Sequence, residues 1–169
     1  MDRPTPYSLE SAPSVASAPT TQNPHYQAIG GAPAVARLAE RFYHHLATLP
    51  EAREIRALHE ADLAPMQEVL ERYLAEWMGG PAAYSAERGH PRLRKRHQRF
   101  SIGASERDAW MLCMRHALAD VVSDAALRAE LDAAFYKVAD FLRNDAQHVH
   151  VHHAESFVAN SPAEPKPGQ

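Results

Sequence analysis

The sequence predicts an all-α protein, and three observations carry that prediction. Apolar residues recur at i, i+3, i+4 and i+7 through several long segments. Prolines and paired glycines crowd the ends of those segments and the tails. No stretch alternates apolar and polar residues between turn signals, as a half-buried strand would. At 169 residues and 45% hydrophobic content, the chain is long enough for one domain with a full core and too short for two ordinary ones.

Residues 1–22 are rich in Pro, Ser, Ala and Thr without sustained periodicity, and read as a disordered N-terminal extension. Such a segment buries too little apolar area to offset its ordering entropy. Asn23-Pro24 can cap and start a short helix that Gly30-Gly31 ends. Pro33 can open the next, with Val35, Leu38, Ala39, Phe42, Leu46 and Leu49 as its stripe, Tyr43 at the edge and Pro50 as the stop. A short or irregular connection then holds Ile55, Leu58 and His59. Pro65 can start a third helix with Met66, Val69, Leu70, Tyr73, Leu74 and Trp77 on one face, closed by Gly79-Gly80-Pro81.

Ser105-Glu106-Arg107-Asp108 has the shape of a capping box, and Trp110, Cys113, Met114, Ala117, Leu118 and Val121 follow as a stripe. Asp124 caps a last helix whose buried side reads Leu127, Leu131, Ala134, Phe135, Val138 and Leu142. The ordered domain is thus expected over 23–146. Residues 147–169 read as a solvated tail whose His148, His150, His152 and His153 can chelate a divalent transition metal adventitiously.

The net charge of −3 and a pI near 6.4 argue against a general nucleic-acid binder, because the basic residues cluster locally. Cys113 is the single cysteine, which excludes an intrachain disulfide and fits a reducing, cytoplasmic setting. The N-terminus lacks a charged start followed by an apolar core, and no apolar run approaches membrane-spanning length. A soluble, unexported protein with no membrane partner, monomeric or homodimeric, is the expectation.

The chemistry concentrates in Gly89 to Phe100. Pro91 can start a short helix in which Leu93, His97 and Phe100 share one face, ringed by Arg92, Arg94, Lys95, Arg96 and Arg99. One imidazole among apolar neighbours under a cationic rim suits a metal held in an apolar slot by a cofactor with an anionic edge. A satisfied core histidine beside a solvated basic face is the plainer reading of the same spacing.

The segment from Gly79 through Phe100 resembles the signature of group II truncated haemoglobins, and the likeness extends from about Pro24 to about Asn144. It is carried also by the two glycine pairs, Phe42-Tyr43, the connection Ile55 to His59, and Glu106 to Trp110 with Met111 to Met114. The resemblance implies a truncated globin fold, a two-over-two helical sandwich around haem b (iron protoporphyrin IX). It implies that His97 is the ligand of a five-coordinate iron, its other ring nitrogen held by a backbone carbonyl or similar partner, and that Arg96 reaches a propionate.

By the same resemblance, Tyr43 and Trp110 donate hydrogen bonds to a bound diatomic ligand, with His59 as a third donor. Met66 stands where many globins place a distal histidine. Leu70 and Tyr73 from the same helix, together with Tyr84, Leu93 and Phe100, line the cofactor. Val69 departs from relatives with a basic residue near a propionate, and Leu58-His59 departs from relatives with an aromatic pattern there.

The implied ligands are dioxygen, carbon monoxide and nitric oxide. The implied role is oxygen handling or transport, or detoxification of nitric oxide or peroxide. No flavin or nicotinamide fingerprint occurs in the chain, so turnover as a nitric oxide dioxygenase or peroxidase requires an external reductase. A haem-based gas sensor or interaction module is the alternative from a different class.

Overall fold

The computed structural model describes residues 23–144. The expected N-terminal extension, the end of the domain at 146 and the histidine tail lie outside the described residues. In chain order the helices are α1 (His25–Ile29), α2 (Gly31–Thr48), a 3-10 turn (Pro50–Ala52), α3 (Arg53–Ala57), α4 (Ala64–Trp77), α5 (Ala83–Arg88), α6 (Leu93–His97), α7 (Ala104–Val121) and α8 (Ala125–Phe141). No strand occurs among the described residues, and none of their helices is long and apolar enough to cross a membrane.

The long α2 packs against both α7 and α4, and α7 packs against α8, so two helix pairs lie across each other. This is the two-over-two sandwich expected for a truncated globin. Its core draws on the predicted stripes: on α2, Val35, Leu38, Ala39, Phe42 and Leu46 are all 1% exposed or less, whereas Ala134, Val138 and Leu142 of the stripe expected on the last helix stand outside the core. Met111, Cys113, Met114, Ala117 and Leu118 of α7 and Leu127, Leu131 and Phe135 of α8 complete it. Ion pairs tie the second layer, Arg115 to Asp132 at 2.6 Å and Arg107 to Asp140 at 2.6 Å.

Several helix starts differ from expectation, and α2 begins at Gly31, two residues before Pro33. The α7 cap is Gly103 and not Ser105: the Glu106 carboxylate reaches back to accept the Gly103 N–H at 2.7 Å, while Ser105 Oγ donates to Glu106. Glycine supplies no side chain for the reciprocal bond, so only half of a capping box exists. At α6, Pro91 does not open the helix. Arg92 takes a left-handed conformation at φ 42° and α6 begins one residue later. It ends at His97, and Phe100 lies beyond it in a turn whose N–H donates to the His97 carbonyl at 3.0 Å. At α8, Asp124 caps as predicted, its Oδ1 accepting from Ala126 at 2.8 Å.

The expected stripe on α4 is split. Leu74, near its C-terminal end, is 1% exposed, whereas Met66 in the first turn is 41% exposed, with Val69, Leu70, Tyr73 and Trp77 between. Only the far half of the helix belongs to the core.

The glycine pair after α4 fixes where that helix meets α1. Tyr26 N–H donates to Met78 O at 2.9 Å, and Asn23 Nδ2 donates to Trp77 O at 2.9 Å. A Cβ on Gly79, which sits at φ +93°, would stand 2.1 Å from the Asn23 carbonyl oxygen. A Cβ on Gly80 would stand 2.6 Å from the Tyr26 ring. The first glycine is needed for both conformation and space, the second for space alone. We expect Gly79→Ala to destabilise by about 2–4 kcal/mol and Gly31→Ala, where the nearest atom is an ordinary 3.9 Å away, by about 1 kcal/mol from φ strain. Urea midpoints of the two variants check this, and equal losses would refute the steric account.

Candidate functional site

His97 ends α6 with its Nδ1 2.8 Å from the Leu93 carbonyl oxygen one turn back. A carbonyl only accepts, so Nδ1 carries the proton and Nε2 presents its lone pair. Arg96 braces the same turn: Nε donates to Pro91 O at 2.9 Å and a terminal nitrogen to Arg88 O at 3.2 Å. Its guanidinium carbon lies 5.8 Å from the centre of the Tyr84 ring. Tyr84 is buried and meets half-buried Tyr73 of α4 edge to face at 5.6 Å, so α4, α5 and α6 are linked through side chains.

A second group forms where α2, α3 and α7 meet. Tyr43 is 6% exposed, and its ring lies 5.9 Å from that of His59, just past α3. Phe42 bridges the group, 5.1 Å from Tyr43 and 5.2 Å from Trp110. The row continues through Phe135, 6.2 Å from Trp110, to Trp77, stacked on Phe135 at 5.0 Å. Burial pushes the Tyr43 hydroxyl up to about 12, so at neutral pH it is a phenol with a proton to donate.

Among the described residues, neither the Tyr43 hydroxyl nor the Trp110 indole N–H has a hydrogen-bond partner, and neither atom is fully buried, so both open onto accessible space. His59 repeats the His97 arrangement, its Nδ1 2.8 Å from the Ile55 carbonyl oxygen. The neutral ring therefore offers Nε2 as an acceptor, and donates there only when protonated.

The structure thus unites Tyr43, His59 and Trp110, and separately joins Tyr73, Tyr84 and Arg96. Leu70, Tyr73 and Trp110 pack against the core, whereas Met66, Leu93 and Phe100 stand outside it. No cluster of three or more His, Cys, Asp or Glu able to hold a metal occurs among the described residues. The donor set, one imidazole whose Nδ1 is taken by a carbonyl and a phenol and an indole free of hydrogen bonds to described residues, fits a cofactor that brings its own metal ligands.

The sequence model of the bacterial-like globin family matches residues 24–147. A group 2 truncated haemoglobin of Bacillus subtilis is 34% identical over 106 residues, 63% of this chain and 77% of the relative. The chain is a group II truncated haemoglobin. The group II 2-on-2 haemoglobin of Agrobacterium tumefaciens superimposes with a TM-score of 0.70 at 39% identity, covering 75% of this chain and 98% of that one. A thermostable haemoglobin of Thermobifida fusca gives 0.65 at 42% identity, covering 71% and 96%. For a truncated haemoglobin, haem-based binding of diatomic gases follows from the family.

One residue of this truncated haemoglobin's site escaped the sequence reading. Asn144, after α8, donates from Nδ2 to Phe100 O at 2.8 Å and His97 O at 3.4 Å, while its Oδ1 accepts the Ile102 N–H at 2.9 Å. Its own N–H donates to Ile102 O at 3.0 Å. The signal available was a lone asparagine just past the last stripe, which reads as an ordinary helix end. We expect Asn144→Ala to speed amide exchange at Ile102 by about tenfold or more, the equivalent of one lost hydrogen bond. Unchanged exchange there would show that Asn144 does not hold the segment.

Proposed function

We propose that this chain binds dioxygen, carbon monoxide and nitric oxide reversibly on haem b, with His97 Nε2 as the protein's ligand to iron and residues 23–146 as the binding unit. The observation that carries the reading is the grouping of a phenol and an indole N–H about Phe42, the Tyr43 ring at 5.1 Å and the Trp110 ring at 5.2 Å, neither donor bonded to a described residue. The haem supplies an iron that takes up the gas; the chain supplies everything that sorts one gas from another.

On the His97 side, the Leu93 carbonyl fixes the tautomer that leaves Nε2 free to ligate, while Arg96 offers its charge to a propionate. Met66, Leu70, Tyr73, Tyr84, Leu93 and Phe100 present apolar surface to the ring. On the other side, Tyr43 and Trp110 donate to a ligand that has gained negative charge. Each such bond to a charged acceptor contributes about 1–3 kcal/mol, or roughly ten- to a hundredfold in dissociation rate. Carbon monoxide accepts poorly and gains less.

His59, its ring 5.9 Å from that of Tyr43, is the third polar side chain of the group and donates to a ligand when its Nε2 carries a proton. Oxygen handling or conversion of nitric oxide to nitrate in the cytoplasm is the role this chemistry suits, with electrons from an external carrier.

The test is the ultraviolet–visible spectrum of the purified protein in ferric, dithionite-reduced, carbon monoxide and air-exposed forms. A Soret band that shifts to a stable oxygenated form is expected, and a featureless spectrum after added haemin would end the reading. We expect His97→Ala to lose stable haem binding; an unchanged Soret band at full occupancy would remove His97 as ligand. We expect Tyr43→Phe and Trp110→Phe each to speed oxygen dissociation about tenfold or more, with little change for carbon monoxide. Wild-type oxygen rates in both would take them out of ligand binding.

A further inference from the structure

Charge in this protein is distributed very unevenly. Between Glu87 and Glu106 the sequence has no acidic residue and six of the chain's 18 Lys and Arg, among them Arg92, Arg94, Lys95 and Arg99. That segment is formally +6 in a chain of −3, which leaves the remainder at −9. Elsewhere many of the arginines are neutralised, as Arg41, Arg72, Arg107 and Arg115 are by carboxylates at 2.6–2.8 Å. Arg92, Arg94, Lys95 and Arg99 have no carboxylate within ion-pair distance among the described residues, and all four are exposed.

The patch is also shaped. Arg96 pins the turn before α6 to itself through the Pro91 and Arg88 carbonyls. This makes a cationic recess of Arg88, His90, Arg92 and Lys95. At its other side Arg94 lies over the ring of Phe141, 5.2 Å from the centroid, and Phe141 is the most exposed large apolar residue described, at 59%.

We propose that this face is the docking surface for an acidic, one-electron carrier protein that reduces the haem. The inference rests on the haem reading above. An acidic partner is attracted to the α6 patch and repelled by the rest of the surface, so the charge pattern sets its orientation as well as its encounter rate. An exposed aromatic under an arginine is the composition of a protein interface core, and five of the six cations are arginine, which suits carboxylate pairing. Nucleic acid or an anionic membrane would face the same −9 remainder over a much larger area. The patch lies on the helix that carries His97, so a carrier seated there approaches the element that holds the iron. The step is a single electron transfer: the reduced carrier loses one electron, ferric iron becomes ferrous, and no bond is made or broken.

The probe is a reduced flavodoxin, an acidic flavin protein, mixed with the full-length ferric protein. Binding is followed by calorimetry and reduction by stopped-flow absorbance. We expect binding that weakens steeply with added salt, since exposed charges are screened over about 10 Å at 0.1 M. The variant Arg94→Glu, Lys95→Glu, Arg99→Glu is expected to bind at least tenfold more weakly and to be reduced at least tenfold more slowly.

A control with the same charge change elsewhere, Arg37→Glu, Arg53→Glu, Arg128→Glu, should stay within about twofold of the patch-intact protein at 0.1 M salt, where distant charges are screened. Phe141→Ala is expected to weaken binding severalfold without altering its salt dependence. Equal binding and reduction by the patch variant, or an equal loss in the control, would overturn the proposal. So would patch-dependent retention on phosphatidylglycerol vesicles or duplex DNA without flavodoxin binding. Reduction by dithionite and the carbon monoxide spectrum, measured on every variant, separate failure of docking from failure of the haem reading.

Discussion

A single turn of helix, α6, carries the imidazole on which the site depends, and apolar packing does little to hold it. Its five residues are far below the length at which an isolated helix persists, and none of them is buried. What fixes it is polar: the two carbonyl bonds of Arg96 before it, and the Asn144 amide after it. The bond from His97 Nδ1 to the Leu93 carbonyl exists only while those four residues make a helical turn. The proton's place on the ring is therefore set by two residues that never touch the ring. Loosening either end frees Nδ1 to trade its proton with Nε2, and the lone pair that defines the site is no longer guaranteed.

His59 and His97 are built alike, each with Nδ1 on the carbonyl four residues earlier, and so each presents a lone pair at Nε2. Their neighbours distinguish them. His59 packs edge to face against a phenol that burial keeps protonated, its ring 5.9 Å from that of Tyr43. His97 ends the short basic helix α6, behind Arg94, Lys95 and Arg96, and has no aromatic ring paired with it among the described residues. A neutral imidazole with Nε2 unoccupied is the form that ligates a metal. The asymmetry between the two histidines thus follows from what surrounds them.

The parts of the fold legible in the sequence are those set by local periodicity. Phe42 and Leu46, each four residues along from a position that also buries, declare α2 without reference to any other segment, and Asp124 declares the start of α8. The proposed contact residues were read from a family likeness and not from spacing, since Tyr43, Tyr73, Trp77 and Trp110 all sit on or beside stripes that look like plain core. What was not legible depends on partners distant in sequence. Arg96 reads as one more cation until Pro91 and Arg88 turn their carbonyls toward it, and Asn144 reads as a helix end until Phe100 and Ile102 arrive, more than 40 residues removed. Gly103 in place of Ser105 as the α7 cap is a smaller case, decided by where the preceding turn from α6 delivers the chain.

The division of α4 shows how stability and binding share one apolar stripe. Leu74 and Met66 lie eight residues apart on the same helical face, yet one is sealed in the core and the other is 41% exposed. Apolar area left in water forgoes about 25 cal/mol per Å² of stabilisation, so a helix that ran its whole stripe into α2 would make a more stable protein. Instead the first turns of α4 and the apolar residues of the α6 segment, Leu93 and Phe100, stay outside the core. Tyr73 and Tyr84 mark the line between the two halves, the first packed against the core and the second joined through Arg96 to α6. Any apolar group bound along that line restores the burial that the helix lacks, so binding and folding free energy are coupled through the same side chains.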